Sequence, residues 1–218
     1  MQSVAQGYDP GNALFAQWFT AHKSTDRSLV VNVGGGKSQV WPFLAEQFPS
    51  LEIEVRDASQ VLLTQRQELL DPKMEGRVTF KQHDLYASQP LEDAAHVYAY
   101  VMWNVCWNLD DANCIKLLQT FVPVLEESPQ TILLVNEGMS PPKGMFEQHI
   151  DHAYRRRDVT AMTMHNTKLR SEEEWRELFN QASPYFKVRS SLSSHPYASF
   201  PYYLPNTDIS RMLPSANT

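Results

Sequence analysis

A doubly wound α/β fold with a mostly parallel sheet is what this sequence predicts. Short apolar runs alternate with longer helix-like stretches, a triple glycine follows the first run, and several of the runs end in polar side chains. The first run, Leu29-Val30-Val31-Asn32-Val33, leads into Gly34-Gly35-Gly36-Lys37-Ser38, and Glu54-Val55-Arg56-Asp57 closes the second. Strand, glycine turn, helix, strand, acid is the layout of a nucleotide-cofactor pocket. Glycine lets the backbone approach a ligand without Cβ interference, and an acid ending the second strand can accept two hydrogen bonds from a ribose diol. Standing alone, the triple glycine would serve equally well as a hairpin loop.

The elements follow in order. A loop, Gly7 to Asn12, feeds an amphipathic helix over 13–22. The apolar run at 29–33 is the first strand, and the glycine turn opens a helix over 38–48. The strand at 52–56 carries Asp57 at its end, and a helix over 59–70 follows. Arg77-Val78-Thr79-Phe80-Lys81-Gln82 reads as a strand over 77–82 that delivers His83, Asp84 and Leu85. The run at 96–102 is a fourth strand, 111–126 a helix, and 131–137 a fifth strand ending in Asn136-Glu137. Helices over 145–163 and 171–182 and a strand over 185–191 complete the pattern. Because strand carboxyl ends line the ligand crevice of an open α/β sheet, Asn32, Asp57, Asp84 and Glu137 are all expected there. From Ser193 to Thr218, prolines interleave with Tyr197, Phe200, Tyr202 and Tyr203, which suits an extended segment lying on the domain with a frayed end. The expected organisation is therefore a short helical segment over 1–27, one catalytic domain over 28–192 and a tail over 193–218.

With 218 residues, 42% hydrophobic and 20% charged, the chain suits one globular domain that buries roughly 70% of its unfolded surface. The formal charge of −6 and the lack of a basic stripe argue against nucleic acid. No apolar run is long enough to span a bilayer and no signal pattern opens the chain, so a cytoplasmic protein is expected. Cys106 and Cys114 read as reduced core residues rather than a disulfide, and thiolate chemistry at Cys106 is the lesser reading.

These strings resemble the plant and fungal small-molecule O-methyltransferases that use S-adenosylmethionine, from about Leu29 to about Val188. The family's glycine motif resembles Val31-Asn32-Val33-Gly34-Gly35-Gly36. Its ribose acid falls on Asp57 and its adenine-contacting acid on Asp84, within His83-Asp84-Leu85-Tyr86. Asp158-Val159-Thr160-Ala161-Met162 resembles a later helix, and Arg170-Ser171-Glu172-Glu173-Glu174-Trp175 resembles the Arg-Thr-x-x-Glu-Trp signature. The resemblance implies a class I methyltransferase (Rossmann-like) fold and S-adenosyl-L-methionine held by Asn32, Gly34, Gly35, Gly36, Asp57, His83, Asp84 and Leu85. No metal is implied.

The departures from that family bear on the chemistry. Aligned back from Asp111-Ala112-Asn113-Cys114, the family's general-base His falls on Trp107; counted forward from Ala95-His96-Val97-Tyr98, it falls on Val105. Neither count supplies a base, since no imidazole lies between His96 and His149. Of the two acids that serve that His, one is retained as Glu137 and the other is replaced by Leu169. Asn32 stands where the family usually has Asp, and Ser38 where it has its last Gly. The helical N-terminal domain that makes the family's dimer and covers its substrate has no counterpart in residues 1–27. The chain thus reads as a truncated, divergent member, with its acceptor site more open than usual or completed by a homodimer mate or another chain.

Other candidates carry a plainer explanation. His149 and His152 flank Asp151 at metal-binding spacing, but two ligands do not make a site, and a solvated helix face is the preferred reading. Arg155-Arg156-Arg157 could bind an anionic substrate, yet an ordinary charged surface turn is preferred. His165 reads as packed or exposed rather than as a replacement base. Trp41, Trp103, Tyr98 and Tyr100 read as core, while Trp107, at a crevice, could stack on a flat substrate.

Three functions remain open at this point. In the first, methyl passes from S-adenosylmethionine to a hydroxyl of an aromatic, phenolic or polyketide-like molecule of secondary metabolism, mainly by proximity. General-base catalysis is worth about 10²–10⁴-fold, so its loss slows such a reaction without forbidding it. In the second, the protein no longer methylates and instead promotes cyclisation or rearrangement. In the third, it is an inactive partner protein. Trp107 and Glu137 are the residues on which these readings divide.

Overall fold

The computed structural model describes residues 29–190, apart from 39, 146, 185 and 187, together with 207–209. The helix expected over 13–22 and most of the aromatic tail lie outside the described residues. Strands β1 (Leu29–Val33), β2 (Glu52–Asp57), β3 (Val78–Gln82), β4 (Val97–Trp103), β5 (Ile132–Asn136), β6 (Val188–Ser190) and β7 (Thr207–Ile209) form one sheet in the order β3-β2-β1-β4-β5-β7-β6. The first five are mutually parallel, whereas β7 runs antiparallel to both of its neighbours. Helices α1 (Val40–Gln47), α2 (Gln60–Glu68), α3 (Asp111–Gln119), α4 (Val122–Glu127), α5 (Gln148–His165) and α6 (Glu172–Ala182) occupy the connections.

The central strands read as nearly unbroken apolar runs because both faces of the sheet are covered. On one face Val31, Val33, Tyr100, Met102, Leu133 and Val135 meet Cys114, Leu117 and Leu118 of α3 and Trp175, Leu178 and Phe179 of α6. On the other, Val30, Ile53, Val55, Ala99, Val101 and Leu134 meet Val40, Trp41 and Leu44 of α1 and Leu63 of α2. The β1–β4 register shifts between Leu29 and Val30. That irregularity explains why Val97 shares a face with Tyr100 although strict alternation would separate them.

The fold differs from the sequence reading in two elements. The helix expected over 111–126 is two helices, α3 and α4, broken around Thr120 and Phe121. Pro123 has no N–H for the carbonyl of Gln119, where α3 ends, and instead sits in the first turn of α4. Within the stretch read as a tail, Thr207–Ile209 is a strand inside the sheet, between β5 and β6. Among the described residues, the other expected helices and strands are present with ends moved by a few residues.

The chain steps from β1 outward to β2 and β3, then returns to place β4 on the opposite side of β1. The crevice at the carboxyl ends of β1 and β4 is therefore the topological switch point, where ligands of open α/β sheets bind. Among the described residues, no helix is long and apolar enough to cross a membrane.

Candidate functional site

The glycine turn sits on the end of β2. Gly34, at φ +68°, and Gly35 both donate their N–H groups to the Arg56 carbonyl, at 2.8 and 3.1 Å. Gly36 N–H donates to Asp57 Oδ2 at 3.1 Å, and Ser59 N–H to Asp57 Oδ1 at 3.0 Å. Each carboxylate oxygen has a further lone pair for an incoming hydroxyl. The turn is held from outside by Arg66, whose Nε donates to the Gly36 carbonyl at 2.8 Å.

Space requires all three glycines, and φ requires Gly34 as well. A Cβ at Gly35 would lie 2.2 Å from Asn32 Oδ1, and one at Gly36 would lie 2.6 Å from Leu62 Cδ2 and 2.9 Å from Asp57 Oδ2. A Cβ at Gly34 would lie 2.9 Å from Val105 and 3.6 Å from Leu85, which brings the β1, β3 and β4 ends together. Gly35→Ala should therefore force the turn off Asn32 and lower stability by about 1–3 kcal/mol. Thermal unfolding checks this, and an unchanged midpoint would count against the described packing.

Asn32 is fully buried; its Nδ2 donates to the Val101 carbonyl at 3.1 Å, while Oδ1 has no hydrogen-bond partner among the described residues. Ser38 has a local task, its hydroxyl accepting the Val40 N–H at 3.1 Å where α1 begins.

His83 N–H donates to the Asp57 carbonyl at 2.9 Å, fixing the β3 end against the β2 end. Burial and the nearby Arg56 guanidinium hold the His83 ring below the ordinary imidazole range. Asp84 is exposed and accepts from Tyr86 N–H at 3.0 Å, so it shapes the turn that presents Leu85.

Glu137 is buried and spans to a different segment. Its Oε1 accepts the Val105 and Cys106 N–H groups at 2.7 Å each, and Oε2 accepts that of Trp107 at 3.2 Å. Burial pushes its carboxyl up to about 7, against the pull of those N–H groups and of Arg170. The same segment is gripped from its carbonyl side by Arg170, which donates to Cys106 O at 3.1 Å and Leu109 O at 2.6 Å and pairs with Asp111 at 2.8 Å. The Arg170 guanidinium lies 5.4 Å over the ring of Trp175. Ser171 and Glu174 form a capping box that starts α6 immediately after it. The Arg-Ser-x-x-Glu-Trp string thus has a physical meaning: it starts a helix and aims a buried cation at the loop that carries Trp107.

Trp107 is half-buried and lies outside the core, against α5. Its ring centroid is 5.3 Å from that of His165 and 5.4 Å from the Arg157 guanidinium. Arg157, read from sequence as part of a charged surface turn, is instead a helical residue packed on the carboxyl edge of the sheet. Arg66, Arg170 and Asn104 were also missed as contributors. Only the signature string signalled one of them, Arg170. Among the described residues, no three His, Cys, Asp or Glu side chains gather into a metal site. A groove of about 630 Å³ runs beside α5, lined by Asp110, Asp111, Asp158, Met162, Thr167 and Lys168; the glycine turn takes no part in it.

Comparison with known proteins agrees with this geometry. The chain is 35% identical over 195 residues to the O-methyltransferase phnC of Penicillium herquei, a match that covers 86% of this chain and 46% of that protein. The chain therefore spans about half the length of that relative. Among solved structures, LepI complexed with SAM superposes with a TM-score of 0.70 at 19% identity, covering 90% of this chain and 46% of that one. A structure described as a pericyclic reaction enzyme gives a TM-score of 0.69 at 18% identity, covering 97% and 50%. The O-methyltransferase domain family matches residues 14–184, most of the chain, and together with the sheet order and the glycine turn this match shows that the protein belongs to the O-methyltransferase domain family.

Proposed function

We propose that the protein binds S-adenosylmethionine over Gly34–Gly36 and acts on an aromatic or polyketide-like hydroxyl of secondary metabolism as an O-methyltransferase. The observation that carries this reading is the cradle itself. A Cβ at Gly36 would lie 2.9 Å from Oδ2 of the half-buried Asp57, and one at Gly34 or Gly35 would strike Val105 or Asn32, so the turn stays bare beside that carboxylate. Bound there, the cofactor supplies an electrophilic methyl group on a sulfonium. Asp57 takes the ribose hydroxyls, His83, Asp84 and Leu85 flank the adenine, and Asn32 supports the methionine end through Gly35. Glu137 and Arg170 hold the Val105–Leu109 segment still, so that Trp107 presents a flat wall to the acceptor. Positioning carries the rate, because no imidazole occupies the place of the family's base.

Cover for the acceptor side is assigned to a homodimer mate or a partner chain. Val159, Met162 and Met164 stand exposed on α5, as expected of a face that another chain would close.

Calorimetric titration with S-adenosylmethionine tests the reading. Asp57→Ala should weaken binding by about 1–3 kcal/mol through loss of charge-assisted hydrogen bonds. Equal affinity in the two proteins would reject the placement. Trp107 in place of a base, together with the likeness to a pericyclic reaction enzyme, favours one second reading, in which the bound cofactor serves a cyclisation or rearrangement. Tight cofactor binding without methylated product from any phenol would favour that alternative.

A further inference from the structure

We propose that Arg157 is the receptor for an ionised acceptor oxygen, and that the protein selects acidic phenols or enols bound as their anions. The inference rests on the reading of the Trp107 crevice as the acceptor site.

Three elements converge on this guanidinium. Its Nη2 donates to Asn104 Oδ1 at 3.3 Å, and Asn104, at φ 52°, is the left-handed residue that ends β4. A Cβ placed on Gly138, just beyond β5, would lie 3.3 Å from Arg157 Cζ, so the glycine makes room for the cation against the backbone. The Trp107 ring lies 5.4 Å from the same carbon. A planar cation stacked on an aromatic ring and backed by backbone has few orientations left, which suits recognition of a planar anion. It also stands at the carboxyl edge of the two strands that follow the switch point, beside the residue that replaces the family's base.

Magnitudes favour this role. A positive charge within about 4–6 Å lowers the pKa of an acid by about 1–3 units, a gain of about 10–10³-fold in anion fraction. Loss of a general base costs about 10²–10⁴-fold, so the cation offsets much of what the missing imidazole would supply. Ordinary phenols, near 10 in water, stay mostly protonated after such a shift, whereas phenols or enols acidified by a conjugated carbonyl or nitro group do not. On binding, the acceptor O–H bond breaks, its proton leaves to solvent, and the oxygen accepts from the guanidinium. Among the described residues, the charged and titratable groups nearby are Tyr154, whose hydroxyl is kept protonated by burial against the pull of Arg157, Glu137 beneath the Val105–Trp107 segment, and His165 beyond the Trp107 ring.

The test uses 4-nitrophenol, whose anion is coloured, titrated spectroscopically against the full chain across neutral pH. Wild type should lower the pKa of the bound phenol by about one unit or more. Arg157→Met, which keeps the packing on Trp107 and Gly138, should abolish the shift and weaken binding of the phenolate by about tenfold or more. Arg157→Gln is a second neutral variant should the first fail to fold, and Arg157→Lys should keep part of the shift. No bound phenol in wild type, or the same shift in the neutral variants, would overturn the proposal. Product analysis with S-adenosylmethionine separates the two claims. Phenolate held through Arg157 without methylated product leaves the receptor standing and removes methyl transfer; methylation unchanged in Arg157→Met does the reverse.

Discussion

Replacing Glu137 with alanine is expected to lower the unfolding free energy by about 2–4 kcal/mol, because the N–H groups of Val105, Cys106 and Trp107 lose their acceptor together. Each orphaned buried donor costs about 1–3 kcal/mol, and the relief of a buried charge returns part of that sum. The pH dependence has a definite sign. With the carboxyl raised from 4.5 to about 7 in the fold, the native state holds a proton that the unfolded chain has released between those values. The stabilisation from this group is complete below the unfolded value and falls as pH rises through the folded one, by up to about 3 kcal/mol. Glu137→Gln keeps an acceptor for Val105 and Cys106 but cannot titrate. Urea midpoints measured across that window should lose this slope in the Gln variant, and a slope equal to wild type would refute the assignment.

Arg170→Met should cost about 2–4 kcal/mol, since the carbonyls of Cys106 and Leu109 lose charged donors at a fully buried position. The Asp111 partner adds little, being half exposed at 53%. Both carbonyls keep a neutral donor, Cys106 the Leu109 N–H at 3.0 Å and Leu109 the Thr167 hydroxyl at 3.0 Å, so the cost is that of charged hydrogen bonds lost rather than of orphaned acceptors. Arg170→Lys should recover less than half, because an ammonium cannot reproduce the planar fork that reaches both carbonyls and Asp111. Amide exchange at Val105, Cys106 and Trp107 should quicken in the Met variant; exchange as slow as in wild type would show that Arg170 does not hold this segment.

The parallel half of the sheet was legible because β1, β2, β3, β4 and β5 are apolar runs bounded by polar or glycine punctuation, and local pattern reports such strands directly. Asp57, Asp84 and the glycines were placed at the ends of those runs by the same local pattern, and the structure has them there. Other features depend on contacts between distant segments. Thr207–Ile209 is a strand only because β5 and β6 flank it, and three residues with one isoleucine carry no pattern of their own. Arg157 belongs to a run of three arginines whose facing is decided by how α5 docks, with Arg155 paired to Asp151 on the helix surface and Arg157 turned to Trp107. The partners of Glu137 lie some thirty positions earlier in the chain, a distance that no local spacing rule reaches.

The grip on the Val105–Leu109 segment uses backbone atoms of that segment alone: N–H groups on Glu137, carbonyls on Arg170. Position 107 is consequently a socket whose backbone is held whatever side chain is mounted there, the Trp107 ring adding only its contacts with His165 and Arg157. Histidine, tryptophan or a smaller residue can be installed without redrawing the fold, and the chemistry performed at the crevice can drift while its frame persists. Proline is the exception, because Glu137 requires an N–H at that position. A saturation library at residue 107 should accordingly yield folded protein for nearly every substitution but that one, so that ancestral and novel reactivities can be sampled on a single scaffold.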